Sequence, residues 1–239
     1  MQATGAQTRR GFVSLCALLV FLVSTLILAA RLVGSTQTNT LKWVFDNPDG
    51  IQCKTPCLLG IQPGWTTMSD AITILARHPF SKEMIKQPSA NINSYVEFYS
   101  EEAVVLLGPG GGSDPLVDSV GLYRRSGPPT GYPPLDSARL NLLNSLEMGN
   151  LAQFVEPPDF AAGNRFSEGQ GISVVTVTIC YRRSLLCADV ADKLSPQSNV
   201  DLTIYAPGDD LTVRMSNNLL ICHWLGFAQI QRYLDPARC

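Results

Sequence analysis

Histidine is scarce in this sequence, and the scarcity limits the chemistry that the chain can perform. Only two histidines are present, His78 and His223. Neither lies in a metalloprotease His-Glu-x-x-His motif, and the chain also lacks a Gly-x-Ser-x-Gly nucleophile motif and a Walker loop. A catalytic site built on either histidine would therefore have no recognisable nucleophile. We predict a protein that is not an enzyme and has no cofactor, and an exported hydrolase is the least favoured alternative.

Charged residues are also few, at 16% of the chain, and the net charge is −2. The basic residues form no cluster larger than the pairs Arg124-Arg125 and Arg182-Arg183. A nucleic-acid-binding protein needs a basic face, so no nucleic-acid partner is expected. The acidic pairs Glu101-Glu102 and Asp209-Asp210 fall in predicted turns, where adjacent carboxylates face solvent rather than bind calcium or cleave glycosides.

Charge is absent altogether from Gly11 to Ala30, a run of apolar and small residues. Twenty helical residues span about 30 Å, the thickness of a bilayer's hydrocarbon core. Arg9 and Arg10 precede the run and place the N-terminus in the cytoplasm. We predict a cytoplasmic segment at 1–10, a transmembrane signal-anchor at 11–33 and a linker at 34–42. The chain would then be a single-pass protein of a bacterial cytoplasmic membrane, with its C-terminal domain outside the cytoplasm.

Two questions about this N-terminal segment stay open in the sequence. The run could be a signal peptide cut near Ala30, although its length and the following Arg31 favour a retained anchor. The stretch 8–13 also resembles a twin-arginine export signal, so the export route can be either the general or the twin-arginine one. Both routes carry the remainder of the chain out of the cytoplasm.

The cysteines fit an oxidising compartment. One of the seven, Cys16, lies within the apolar run, and an even number remains outside it: Cys53, Cys57, Cys180, Cys187, Cys222 and Cys239. Their order predicts three local disulfides, 53–57, 180–187 and 222–239, although six cysteines allow 15 pairings. A zinc site is disfavoured because four ligands are needed and only two histidines are available.

The remaining pattern predicts short helices and antiparallel strands in two halves. A helix begins at Thr66 or Thr67 and ends before Pro79, with an apolar face that includes Ala71 and Leu75. Further helical segments are predicted at 146–155 and 188–194, and 140–143 is undecided. Strands are predicted at 93–100, 103–107, 117–123, 172–181, 200–205 and 211–215. We assign a first α+β module to 43–126, a Pro/Gly-rich connector to 127–136 and a second module to 137–239.

Short motifs in both halves carry a resemblance to a known group. The segment from Pro56-Cys57 through Gly60-Ile61 and Pro63-Gly64 to Thr66-Thr67 resembles uncharacterised exported proteins of Chloroflexi bacteria. The start of the first helix, and the second helix with Gly149 and Pro158-Asp159, also look like the BamE/SmpA-type repeat. The resemblance implies an α+β fold: a transmembrane helix followed by two tandem modules, each a short helix packed on an antiparallel sheet. It also implies binding to other proteins rather than catalysis.

These observations together predict a non-catalytic, membrane-tethered interaction protein, with a protein partner in a membrane or envelope complex. Trp43, Trp65 and Trp224 are large enough to be core residues, but an exposed Trp65 or Trp224 would mark a binding surface. The alternative function is a module that binds a small ligand or carbohydrate in a groove between the halves. No metal or cofactor ligands are predicted.

Overall fold

The computed structural model describes residues 18, 21–22, 24–25, 41–45, 57–87, 95–111, 115–125, 131–151, 155, 157–168, 172–181, 185–191, 194–208, 220–224, 226–227 and 233. Every structural statement below concerns these residues. The chain forms two compact units, Met1–Asn39 and Thr40–Cys239.

In the first unit, Leu18, Phe21, Leu22, Ser24 and Thr25 have helical conformation. The Thr25 hydroxyl donates a hydrogen bond to the carbonyl of Leu22 at 2.8 Å. The rest of the predicted anchor at 11–33, and the predicted segment 1–10, lie outside the described residues. Among the helices that the structure describes, none combines the length and the apolar character needed to cross a membrane.

The second unit is built on one antiparallel sheet of nine strands, in the order β1-β2-β3-β4-β8-β7-β6-β5-β9. Their bounds are β1 Ile85–Gln87, β2 Val96–Tyr99, β3 Ala103–Pro109, β4 Val117–Arg124, β5 Phe160–Glu168, β6 Ile172–Tyr181, β7 Leu186–Ala191, β8 Asp201–Tyr205 and β9 Leu220–His223.

Four short helices accompany the sheet: α1 Lys42–Phe45, α2 Met68–Arg77, α3 Ser137–Asn144 and α4 Met148–Leu151. The predicted helix after Thr67 is confirmed. The Thr67 hydroxyl accepts the backbone N–H of Asp70 at 3.1 Å, and Met68, Ala71 and Leu75 are buried. The helix ends at Arg77 because Pro79 cannot continue its hydrogen bonding.

One face of the sheet carries the hydrophobic core, because alternate strand residues point to it. Neighbouring strands contribute cross-strand pairs such as Val105 with Leu122 and Leu122 with Leu202, all fully buried. Buried residues of α2, α3 and α4 belong to the same core cluster. The helices therefore cover this face. The opposite face carries a smaller buried cluster, Phe160, Ala162, Cys180 and Cys187, together with polar residues such as Thr203.

The predicted fold class is wrong in its architecture. Two modules with separate sheets do not form, because β8 of the second half pairs with β4 of the first half. The predicted connector at 127–136 thus lies between two halves of a single sheet. The transmembrane helix that headed the predicted fold is not found among the described helices.

Several local predictions can be compared with the strands. The strands at 103–107, 117–123, 172–181 and 200–205 are confirmed within a few residues, as is the turn at Glu101-Glu102. The helical segment predicted at 188–194 is wrong, since 186–191 form β7. The helix predicted at 146–155 is reduced to α4, and the undecided 140–143 belongs to α3. Strands β1, β5 and β9 were not predicted, and the strand at 211–215 lies outside the described residues.

Within the single sheet, the two halves repeat one backbone arrangement. The N–H of Met68 donates to the carbonyl of Pro115, and that of Met148 donates to the carbonyl of Ser198, both at 2.9 Å. In return, Val117 donates to Thr66 at 2.8 Å, and Val200 donates to Leu146 at 2.9 Å. Position 117 therefore corresponds to 200, and 66 corresponds to 146.

The pairing of β4 with β8 extends this correspondence after a shift of one residue. Val117 pairs with Pro109 and Ser119 pairs with Gly108, so Asp118 is an extra residue in β4. Beyond it, Val120 faces Ile204 and Leu122 faces Leu202, with Gly121 facing Thr203 between them. Position 120 therefore corresponds to 202, and 122 corresponds to 204. The sheet thus has a local two-fold axis between β4 and β8, and each end of β4 has a counterpart at the opposite end of β8.

Candidate functional site

A polar cleft of about 700 Å³ lies where β4 ends, β8 begins and the segment 194–200 joins β7 to β8. No aromatic side chain is among its lining residues. The lining residues are Arg124, Asp189, Ala191, Ser195, Gln197, Ser198, Asn199 and Asp201. A concave site with several convergent polar groups is the usual form of a small-ligand site.

Two aspartates of the cleft are direct neighbours across strands. Asp189 of β7 is the register partner of Asp201, the first residue of β8. Asp189 lies between the core residues Ala188 and Val190, and Asp201 precedes the core residue Leu202. Because successive strand residues point to opposite faces, both aspartates point away from the core face. Side chains on directly opposite strand positions have Cβ atoms about 5 Å apart, so the sheet holds the two carboxyl groups side by side.

Each carboxyl group is fixed by one hydrogen bond. The backbone N–H of Arg124 donates to Asp201 Oδ1 at 2.7 Å. The hydroxyl of Thr178, the register partner of Asp189 on β6, donates to Asp189 Oδ1. Both donors come from neighbouring strands, so the carboxylates are positioned by the sheet itself rather than by a loop.

Burial sets the electrostatics of the cleft. Desolvation, reinforced by the charge of Asp189, raises the pKa of Asp201 to about 6, against the lowering effect of the Arg124 N–H. Burial likewise raises the pKa of Asp189, while the Thr178 hydrogen bond lowers it. Burial lowers the pKa of Arg124 and raises that of Tyr123. Carboxyl groups that titrate near neutral pH in a cleft are typical of functional sites.

Arg124 is the basic residue among the described residues that line the cleft, and its guanidinium hydrogen bonds go to α3. It donates to the carbonyl of Leu143 and, at 3.1 Å, to Asn144 Oδ1. Its charge still lowers the pKa of Asp201, although desolvation of Asp201 outweighs this effect. In the part of the chain that the structure describes, no basic side chain forms an ion pair with Asp189 or Asp201, and the ion pairs there join Arg139 to Glu83 and to Asp136. The two cleft carboxylates are thus only partly compensated by Arg124.

Trp65, predicted as a possible binding residue, lies away from this cleft. It is 67% exposed, in the turn that precedes α2. Gly64 has φ +80° and donates to the carbonyl of Val117, and a Cβ there would lie 2.8 Å from Pro207 Cδ. Leu116, 44% exposed, bridges to Thr67. We call Trp65, Leu116 and Pro207 the Trp65 end; it lies where β4 begins and β8 ends.

Trp224, the second predicted binding residue, is half-buried and packs against the core cluster. Its ring stacks on Tyr233 at 6.0 Å and meets Phe227 edge-on at 5.7 Å. It follows β9, five strands from β4, which is about 24 Å across the sheet. The structure therefore does not bring Trp65 and Trp224 into one site. Trp43 lies in α1, and its side chain is not described.

The structure contains the disulfide Cys180–Cys187, which confirms one of the three predicted pairs. The two residues face each other on β6 and β7, with Cα atoms 4.2 Å apart. Cys57 and Cys222 are also disulfide-bonded. Cys53 and Cys239, their predicted partners, lie outside the described residues, so these two pairings stay predictions.

The histidines do not approach the cleft lining. His78 is the C-cap of α2 and is 2% exposed: its backbone N–H donates to the carbonyl of Ile74 at 2.8 Å, and its Nδ1 accepts the N–H of Phe80 at 3.1 Å. His223 is exposed at the end of β9. Over the described residues, no group of three or more His, Cys, Asp or Glu side chains could hold a metal ion.

Sequence reasoning missed Asp189, Asp201 and Arg124 as a group. Asp201 stands in the strand-like run at 200–205, and Asp189 interrupts an apolar segment, which is the only local signal. The three residues lie close together because of the register of β7 with β8 and of β4 with β8. Such non-local pairing has no sequence signature in a single chain.

The comparisons with known proteins supply no relative. No protein-family model matches the chain, and no curated protein or solved structure is similar to it. The resemblance to exported Chloroflexi proteins and to BamE/SmpA-type repeats stays a prediction.

Proposed function

We propose that this chain is a non-catalytic, membrane-tethered interaction protein that works outside the cytoplasm and contacts another protein of a membrane or envelope complex through the Trp65 end. The observation that carries the proposal is the 67% exposure of Trp65. Tryptophan is enriched among the residues that dominate protein-binding energies, because its large ring buries much apolar area at little entropic cost.

The surroundings of Trp65 support this role. Leu116 and Pro207 are exposed beside it, so a partner would meet a continuous apolar surface rather than a single ring. The Gly64 turn is held by its hydrogen bond to Val117 at 2.7 Å and by contact with Pro207. A side chain presented on a fixed turn loses little freedom on binding, which favours affinity.

The disulfides support a location outside the cytoplasm. A bond between Cys180 and Cys187 persists in oxidising compartments and is rare in the cytosol. The charge-free run at 11–30 supports attachment to the membrane. A tether would confine the partner to neighbouring envelope proteins and raise its effective concentration.

Site-specific photocrosslinking in intact membranes tests the proposal. A photoreactive residue at position 65 should give one discrete adduct with a second protein, and Leu116→Asp should abolish it. Ile85, which is 46% exposed on edge strand β1, is the matched control and should give no such adduct. Recovery of only the uncrosslinked chain from position 65, or equal adducts from 65 and 85, would refute the role of this surface.

A further inference from the structure

The cleft holds an electrostatic arrangement that the fold does not need. Asp189 and Asp201 lie side by side on adjacent strands, and each is desolvated. Burying two carboxylates together is unfavourable unless a positive charge compensates them. Within the described residues Arg124 compensates Asp201 only in part: its charge lowers the pKa of Asp201, but desolvation outweighs this effect and the guanidinium hydrogen-bonds to α3. Polar or apolar residues at these strand positions would stabilise the sheet better.

We infer that this cleft binds a small organic ammonium compound, whose cationic group lies against Asp189 and Asp201 and whose polar remainder contacts Ser195, Gln197 and Asn199. This inference is independent of the Trp65 end, because that surface lies at the other end of β4. It assigns a ligand site to residues that the sequence did not single out.

The dimensions of the cleft favour an organic cation over a metal ion. A volume of about 700 Å³ lies within the range of small-molecule sites, 300–1,000 Å³, and is far larger than a bare ion fills. Calcium takes six to eight oxygen ligands, and over the described residues no group of three or more His, Cys, Asp or Glu side chains could hold a metal ion. A carbohydrate is disfavoured because the described residues that line the cleft offer no aromatic ring on which a sugar could stack.

The residues opposite the carboxylates suit a molecule with further polar groups. Ser195, Gln197 and Asn199 line the cleft on the β7–β8 connection, and Gln197 and Asn199 are exposed. Their hydroxyl and amide groups can both donate and accept hydrogen bonds. A hydroxyl, amide or ester group on the ligand would therefore be satisfied there, whereas a long alkyl chain would not.

Binding should depend on pH through the two carboxyl groups. The charged and titratable groups near them are Arg124 and Tyr123 from β4 and Glu147, which precedes α4. Burial raises the pKa of Tyr123 above its ordinary value of 10, so Tyr123 stays protonated from pH 7.5 to pH 5. Protonation of Asp201, whose pKa is about 6, removes a negative charge over this interval, so ammonium binding should weaken on acidification.

Isothermal titration of the full-length chain in mild detergent tests the inference, with choline, putrescine and L-lysine methyl ester as probes. At least one probe should bind saturably with one site per chain at pH 7.5. Asp201→Asn and Asp189→Asn should each weaken that binding by about 10- to 100-fold, the loss expected for one charged hydrogen bond. Binding should also weaken at pH 5.

Asp118→Asn is the control, because Asp118 is a half-buried carboxylate of β4 that is not among the residues lining the cleft. It should leave the affinity unchanged. Thermal unfolding at pH 7.5 verifies that each variant is folded. Three results would overturn the inference: no saturable binding by any probe, equal binding by the Asp201→Asn variant, or saturation by calcium chloride alone with the same dependence on Asp201.

Discussion

Replacing Asp201 by asparagine should make the protein more stable at neutral pH, although it removes a native charge. The folded-state pKa of Asp201 is about 6, against an ordinary value of 3.8. This carboxyl group therefore binds a proton more tightly in the folded state than in the unfolded state. Its favourable contribution is present below about pH 4 and is lost as the pH rises through 6.

The magnitude follows from the shift. About 2.2 pKa units at 1.36 kcal/mol each amount to about 3 kcal/mol. Asparagine resembles the protonated carboxyl group, and its Oδ1 can still accept the Arg124 N–H, which is 2.7 Å from Asp201 Oδ1. The free energy of unfolding of the Asp201→Asn variant should therefore be higher than that of the unmodified chain by up to about 3 kcal/mol at pH 7.5. For a domain of this size, this difference corresponds to a rise in Tm of roughly 6–12 °C.

Thermal unfolding of the full-length chain, followed by circular dichroism at pH 3.5, 5 and 7.5, measures this difference. The gain should shrink towards zero at pH 3.5, where Asp201 is protonated in both states. Asp118→Asn controls for the loss of a half-buried strand carboxylate outside the cleft. A gain that is the same at all three pH values, or a loss of stability at pH 7.5, would refute the picture of a carboxylate whose ionised form is destabilised by burial.

Two further changes test the framework around the site. Replacing both Cys180 and Cys187 by serine should cost about 2.5 kcal/mol in urea unfolding, the entropy of closing so short a loop, and reductant should then have no further effect. Gly64→Ala should lower the free energy of unfolding by about 1 kcal/mol more than Gly131→Ala. Both glycines have φ +80°, but only at Gly64 would a Cβ meet another atom, Pro207 Cδ; equal losses would show that this contact is unimportant.

Local features of the fold could be predicted where one segment carries its own signal. The helix that begins at Met68 has a threonine cap, an apolar face and a proline stop, all within 14 residues. The run at 172–181 is rich in β-branched residues and is a strand. The pair Cys180–Cys187 followed from the order of cysteines along the chain. In each case the interaction that decides the structure is short in sequence.

The errors share a different cause, which is packing between distant segments. The segment 188–191 is apolar with one aspartate, a pattern compatible with a short helix, but β6 and β8 flank it and make it a strand. The two predicted modules merge because Val120 and Leu122 pair with Ile204 and Leu202. Each outcome depends on partners about 10 to more than 80 positions away.

The local two-fold axis explains why one framework carries two unlike surfaces. Equivalent backbone positions stand at the start of β4 and the start of β8, where 66 and 117 correspond to 146 and 200, but the residues beside them differ. At the start of β4, the counterparts of Ser145 and Asn199 are Trp65 and Leu116, which give an exposed apolar surface.

At the other end of the paired strands, the corresponding residues Ser145 and Asn199 are polar, and Asn199 lines the cleft. The eight residues of β4 separate the two ends by about 24 Å, at ~3.4 Å per residue. A partner protein at the Trp65 end would therefore leave the cleft open. Since sites this far apart act independently unless a two-state element links them, a cation in the cleft would alter the partner's affinity only by changing the pairing of β4 with β8.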